Sequence, residues 1–282
     1  MGVSMIAISP KNLIESVGTA SFPIVIDVRR AEVFEKAQDI IPTAQWRDHR
    51  QAADWGAELA GCPGPVIVYC VHGHQVSLSA VTLLRAAGID ARILDGGIET
   101  YRAAGGPLIH KSALVKKTSE GPSRWITRER PKIDRIACPW LIRRFIDRQA
   151  TFHFVASDWV RQAGEEIGAI PFDIPETQFS HVGELCSFDA FLAHFGLSDP
   201  ALQRLAGIVR GADTSRLDLA PQSAGLLAMS LGLSALHDDD LAMLEQGMIL
   251  YDALYAWCRH AVGEGHDWQP DRMKPAKSPA KP

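Results

Sequence analysis

Val66-Ile67-Val68-Tyr69-Cys70-Val71-His72-Gly73-His74-Gln75-Val76-Ser77 is an apolar, β-branched run that stops at a cysteine, turns through a short polar loop with one glycine, and enters an apolar helical pattern at once. That order puts a thiol at the carboxyl end of a buried strand and faces it with the amino terminus of a helix. Unpaired backbone N–H groups and the positive end of the helix dipole then point at the sulfur. Such surroundings lower a cysteine pKa and stabilise an anion attached to the sulfur or lying beside it. Cys70 is therefore a candidate nucleophile; the plainer alternative is a small apolar residue that ends a core strand.

The flanking sequence repeats the same alternation. Pro23-Ile24-Val25-Ile26-Asp27-Val28-Arg29 is a buried strand ending in charge, and Ala91-Arg92-Ile93-Leu94 is another, turned by Asp95-Gly96-Gly97 into a helix over 98–103. Ser9-Pro10 caps a short helix to Val17, residues 31–37 form a helical turn, residues 52–60 a helix, and residues 76–87 a helix closed by Gly88. Strands alternating with helices imply a parallel sheet covered on both faces, with ligands beyond the carboxyl ends of the strands. Asp27, Arg29, Cys70 and Asp95-Gly97 all fall at those ends.

The composition sets the wider frame. A chain of 282 residues exceeds the usual single domain, so two domains are expected, and 46% hydrophobic with 22% charged residues is ordinary for a chain with a full core. A formal charge of -4 argues against a globally basic nucleic-acid binder, and no stretch reads as a membrane span or a secretory leader. The five cysteines are scattered without CxxC spacing, which fits reduced thiols and a cytoplasmic location.

Residues 9–108 resemble a rhodanese (sulfurtransferase) domain. The resemblance rests on Asp27-Val28-Arg29, on Ile41-Pro42-Thr43-Ala44, on the Cys70 loop and on Leu94-Asp95-Gly96-Gly97, in that order along the chain. In that family the loop cysteine carries a sulfane sulfur as a persulfide cradled by loop amides. Carried over, Cys70 is the catalytic residue, Val71, His72, Gly73, His74, Gln75 and Val76 form the substrate cradle, and Asp27 and Arg29 are further substrate-binding candidates. A strand-end aspartate and arginine more often fix local turns than touch substrate. The resemblance implies a small-molecule sulfur donor, a thiol acceptor and no cofactor for sulfur transfer. Many rhodaneses place a cation in the active loop; here the loop offers His72, His74 and Gln75, so thiosulfate is not the expected physiological donor. Related phosphatases need arginine six positions after the cysteine, and position 76 is valine.

Between residues 110 and 135 eight basic side chains face three acidic ones, a surplus of five positive charges, around a Thr118-Ser119-Glu120-Gly121-Pro122-Ser123 linker. These cations serve either docking against the neighbouring half or contact with an external anion. Beyond them Trp125-Ile126-Thr127 reads as an edge or entry strand, residues 133–147 as a helix interrupted or opened by Pro139, residues 151–155 as a strand, and Ser157 as the cap of a helix to Ile167. Residues 170–173 read as extended, and three further helices run over 200–210, 224–233 and about 240–261.

This half resembles the C-terminal domain of the ChrB chromate-resistance family. It does so through the run Arg130-Pro131-Lys132-Ile133-Asp134-Arg135-Ile136-Ala137-Cys138-Pro139-Trp140-Leu141-Ile142, then Ile170-Pro171-Phe172-Asp173, Phe179-Ser180-His181, Cys186-Ser187-Phe188 and Ile208-Val209-Arg210-Gly211-Ala212-Asp213. The expected organisation is an α/β rhodanese-like parallel-sheet domain over 1–110, a linker over 111–123, a helix-rich α+β domain over 124–262 and a disordered tail over 263–282.

The resemblance implies a role in chromate resistance, as sensor, regulator or accessory enzyme, with chromate or a metal ion as partner. His181 and Cys186, five residues apart with Glu176 and Glu184 nearby, and Asp134, Cys138 and Asp213 elsewhere, are candidate ligands for a divalent transition metal. Two functions stand side by side. One is a sulfurtransferase forming a persulfide on Cys70. The other is a metal or oxyanion sensor carrying a silent rhodanese module. No helix-turn-helix stands out, so direct DNA binding is not expected. Chromate is also a tetrahedral dianion that the amide cradle beside Cys70 suits.

Overall fold

The computed structural model describes residues 6–114 and 122–265. The linker sequence Thr118-Ser119-Glu120-Gly121 and most of the expected tail lie outside these residues.

The first half contains β1 (Ala7–Ile8), α1 (Pro10–Ser16), β2 (Ile24–Asp27), α2 (Ala31–Lys36), β3 (Asp39–Ile40), β4 (Gln45–Trp46), α3 (Ala52–Gly56), β5 (Val66–Tyr69), α4 (Gln75–Ala86), β6 (Ala91–Leu94), α5 (Gly97–Ala103) and β7 (Ile109–His110). Ser9 caps α1 by accepting from the Asn12 N–H at 3.2 Å, with Pro10 in the first turn. Five strands form a parallel sheet in the order β1-β6-β5-β2-β4, with the fully buried β5 at its centre. The side chains of β5 alternate as the pleat requires. Ile67 and Tyr69 join Leu13 of α1 and Ile98 and Tyr101 of α5 on one face. Val66 and Val68, followed by Cys70, join Ala52 and Trp55 of α3 and Ala80, Val81 and Leu84 of α4 on the other.

The second half contains β8 (Arg124–Arg128), α6 (Asp134–Leu141), β9 (Thr151–Val155), α7 (Val160–Ile167), β10 (Ile170–Pro171), α8 (Ser187–Phe195), α9 (Pro200–Asp213), α10 (Ser223–Leu236) and α11 (Asp240–His260). It is helix-rich, as the sequence predicts. The strand over Trp125-Ile126-Thr127 is not at an edge, however. It is the middle of a parallel sheet in the order β10-β8-β9. All three residues are buried, as they must be in a strand with a neighbour on each side and helices above and below. Pro139 lies within α6 and removes one backbone donor, and the helix runs on into a wider π-type turn over Ile142–Ile146. Ser157 opens a 3₁₀ turn (Ser157–Trp159) rather than capping α7 with its hydroxyl.

The halves share one apolar core: Leu13, Val17, Ile41 and Tyr101 are continuous with Trp140, Phe145 and Tyr255. Polar contacts reinforce the seam. Arg259 donates to the Val17 and Ile14 carbonyls at 2.8 and 2.9 Å, closing the open end of α1, and the Thr43 N–H donates to the Phe145 carbonyl at 3.0 Å. Among the described residues of the basic segment, three side chains are engaged internally. Lys111 donates to the Glu35 carbonyl at 2.7 Å, Arg124 to the Ile167 carbonyl at 2.9 Å, and Arg128 to Asp173 at 2.7 Å.

Gly18 sits where the halves meet, at φ +76, and an added Cβ would lie 2.5 Å from both Phe145 Cζ and Tyr255 Cε1. We expect Gly18→Ala to lower stability by about 1–3 kcal/mol through overpacking between two buried rings. Gly88→Ala, also at positive φ but with nothing within 4 Å of the added Cβ, should lose only about 1 kcal/mol. Calorimetric melting of the two variants side by side checks the ranking.

Candidate functional site

Cys70 follows the last residue of β5 and is only 6% exposed. The chain then turns through Val71 to His74, and α4 begins at Gln75. Two close approaches shape the turn. Gly73 adopts φ +70, and a Cβ there would come within 2.7 Å of the Leu94 carbonyl oxygen; Gly97 adopts φ +64, and a Cβ there would strike the Cys70 and Val71 carbonyls. Those two carbonyls accept from the first N–H groups of α5, Ile98 at 3.0 Å and Glu99 at 3.3 Å. The Asp95-Gly96-Gly97 turn is thus the floor of the Cys70 loop, and α4 is the helix whose amino end faces the sulfur.

The Ser77 hydroxyl stands 3.4 Å from Cys70 Sγ and 3.0 Å from the His74 carbonyl oxygen. A hydroxyl has one proton. With a thiol, Cys70 donates to Ser77 and Ser77 donates to His74; with a thiolate, Ser77 turns its proton to the sulfur. Burial by itself raises the Cys70 pKa. The Ser77 hydroxyl and the backbone N–H groups of Ser77, His74 and His72 outweigh it, and the net shift is downward. The other shifted thiols move the opposite way: burial pushes Cys258 up to about 11 and also raises Cys138 and Cys186. Ser77 is absent from the expected cradle of residues 71–76, although a hydroxyl in the first turn of the following helix is the signal that could have found it.

The remaining first-half candidates divide. His72, His74 and Gln75 are exposed at the mouth of the loop, and Val76 is half-buried against the core beneath it. Asp27 and Arg29 are both buried and bound to each other: Arg29 donates from its backbone N–H and Nε to Asp27 Oδ1 at 3.0 Å each, and from Nη2 to Oδ2 at 2.5 Å. Tyr69 OH donates to Asp27 Oδ2 at 2.9 Å, and Arg29 Nη2 also donates to the Asp39 carbonyl at 3.0 Å. This pair ties β2 to β5 and β3. These bonds give the pair the local structural role that the sequence also offers for a strand-end aspartate and arginine.

A second cluster lies in the other half, beyond the carboxyl ends of β8 and β10. His181 Nε2 is surrounded by Asp213 Oδ2 at 3.1 Å, Asp134 Oδ2 at 3.3 Å and Asp173 Oδ1 at 3.4 Å. Contact with Asp134 raises the His181 pKa to about 9 against the opposing effect of its own burial, and the charges of Asp213 and Asp173 add to the rise. Burial, then the neighbouring Asp134 charge, pushes Asp213 up to about 8. Asp173 is also held by Arg128 and by Ser187, whose hydroxyl donates to Oδ1 at 2.9 Å.

Of the expected metal ligands, the structure brings together His181, Asp134 and Asp213. The Cys186 thiol sits 3.4 Å from Asp189, which in turn accepts two bonds from Arg210, so it belongs to the start of α8. Cys138 is fully buried in the apolar core on the first turns of α6. Asp173 joins the cluster where the two thiols do not. Spacing could not show this, because the donors come from the start of one helix, the end of another, a strand end and a loop.

A family model for the rhodanese-like domain matches residues 9–104, and a model for the ChrB C-terminal domain matches residues 125–258. The chain is 38% identical over 133 residues to Protein ChrB of Cupriavidus metallidurans, covering 47% of this chain and 40% of that protein. It is 32% identical over 80 residues to the thiosulfate sulfurtransferase GlpE of Pseudomonas savastanoi pv. phaseolicola, covering 28% of this chain and 73% of that one. A solved rhodanese-like domain protein from Staphylococcus aureus matches at a TM-score of 0.31 and 26% identity, over 34% of this chain and 91% of that one. The chain thus spans less than half the length of the ChrB relative. It belongs to the rhodanese-like family through residues 9–104, and its residues 125–258 match the ChrB C-terminal domain.

Proposed function

We propose that this chain is a ChrB-like chromate-resistance protein whose first half transfers sulfane sulfur through a persulfide on Cys70. The observation that carries the reading is the Cys70 thiol itself. It is buried at a strand-to-helix turn yet shifted toward thiolate by Ser77 and three backbone N–H groups.

The chemistry follows from that arrangement. The Cys70 thiolate attacks the sulfane sulfur of the donor; a new S–S bond forms, and the donor's bond to that sulfur breaks with its electron pair leaving on the donor remnant. The terminal sulfur then carries the negative charge within the Val71 to Val76 backbone cradle. An acceptor thiolate attacks this outer sulfur, and Cys70 departs as thiolate. No cofactor is consumed. Half-buried Val76 occupies the place where phosphatase chemistry would need arginine, so the loop suits sulfur rather than phosphoryl transfer.

Intact-mass measurement after incubation with sulfur donors tests the reading. The wild-type chain should gain the mass of one sulfur atom and Cys70→Ser should gain none; a gain that survives the substitution overturns it.

Alkylation supplies a second test. Near neutral pH, Cys70 should be modified before the other four thiols, and Ser77→Ala should slow its modification on the order of tenfold by removing a hydrogen bond to the charged form. Peptide mapping that finds another cysteine modified first, or a Ser77→Ala rate equal to wild type, counts against this account.

The exposed Gln75 at the mouth provides a third. Gln75→Arg supplies the cation that the loop lacks and should lower the KM for thiosulfate, an effect of about 1–3 kcal/mol for a charged hydrogen bond. Steady-state kinetics with unchanged KM in the folded variant would refute it.

A further inference from the structure

We propose that Asp134, Asp173 and His181, with Asp213 beside them, bind one divalent transition-metal ion at the carboxyl ends of β8 and β10. One donor atom from each of the first three lies within 4.8 Å of the others. His181 Nε2 is 3.3 and 3.4 Å from the Asp134 and Asp173 oxygens. Metal–nitrogen and metal–oxygen bonds of about 2.0–2.2 Å put neighbouring donors roughly 3–3.5 Å apart, so an ion fits with little movement.

The strongest independent sign is Asp134 Oδ2. This oxygen is buried and points into the cluster, and no donor reaches it in hydrogen-bond geometry, with His181 Nε2 in contact at 3.3 Å. A buried carboxylate oxygen without a donor is unfavourable by itself and calls for a cation. Protonated His181 does not fill that role. Three carboxylate oxygens stand 3.1–3.4 Å from its Nε2, and a single N–H points along one direction. A central ion serves all of them together.

The surroundings agree. Ile133 at φ 43, next to Asp134, and Asp173 at φ 53 hold left-handed backbone conformations that non-glycine residues adopt only under constraint. Arg128 and Arg135 contact Asp173 Oδ2, and Ser187 donates to Oδ1, which fixes that carboxylate's direction as outer-shell groups do around metal ligands. His181 is 40% exposed, so the cluster opens to solvent on one side for entry and for water ligands. One imidazole with carboxylate oxygens, with the Cys186 thiol on Asp189 and Cys138 buried in the apolar core, suits manganese(II), iron(II), cobalt(II) or zinc(II) rather than a soft thiolate-seeking ion.

The test uses the full chain, stripped with a chelator and melted across a series of manganese(II), cobalt(II) or zinc(II) concentrations. Wild type should bind one equivalent by elemental analysis and melt at temperatures that rise with metal concentration. Cys70→Ser should behave as wild type, whereas Asp134→Asn and His181→Ala should lose the rise. A wild-type melting curve that ignores all three ions overturns the proposal, as does a rise that persists in both cluster variants. Should either variant fail to fold, the cobalt(II) spectrum of wild type decides. Bands of a nitrogen and oxygen site support the assignment, and a thiolate charge-transfer band moves the metal to a cysteine and overturns it.

Discussion

The chemistry available to Cys70 depends on where two carbonyl groups go. The C=O groups of Cys70 and Val71 turn into the open amino end of α5 and accept from Ile98 and Glu99. That leaves the following amides free to face the sulfur, so one helix terminus is used up in orienting the loop and the other, that of α4, in polarising the thiol. The approach tolerates no side chain at Gly97 and none at Gly73. The Asp27–Arg29–Tyr69 network then fixes the ends of the strands from which the loop departs.

Much of this was legible in the sequence because it is local. Strand, cysteine, glycine-containing loop and helix follow one another without interruption, and a left-handed turn next to a strand end is written as Asp95-Gly96-Gly97. Ser77 escaped because the expected cradle ends at Val76, one residue short of the first-turn hydroxyl that reaches Sγ. The second half was legible as a set of helices but not as a site. Asp134 begins α6, Asp213 ends α9, Asp173 follows β10 and His181 lies on a loop, so nothing in their spacing joins them. Cys186, the nearest cysteine to His181, drew attention by proximity in the chain, while its thiol is engaged by Asp189. The edge alternative for Trp125 to Thr127 does not hold for a related reason: three residues reveal their own burial but not how many neighbours pair with them.

The polarity of the basic segment shows how composition misleads when counted without geometry. A surplus of positive charge before the second half suggests an anion site, yet Lys111 and Arg124 close off carbonyl groups, and Arg128 neutralises Asp173. These cations hold the architecture together rather than advertise a ligand.

The seam between the halves has an outcome that the peptide connection does not control. Gly18, Phe145 and Tyr255 interlock, Arg259 closes α1 from across the boundary, and the apolar core continues through both sides. Association therefore rests on packing and not on covalent linkage. A chain opened between residues 114 and 122 would yield two fragments that stay together, each completing the other's interior. Neither family's portion behaves as a detachable cassette, and transplanting the rhodanese-like half alone would lay bare the apolar surface that its neighbour now covers.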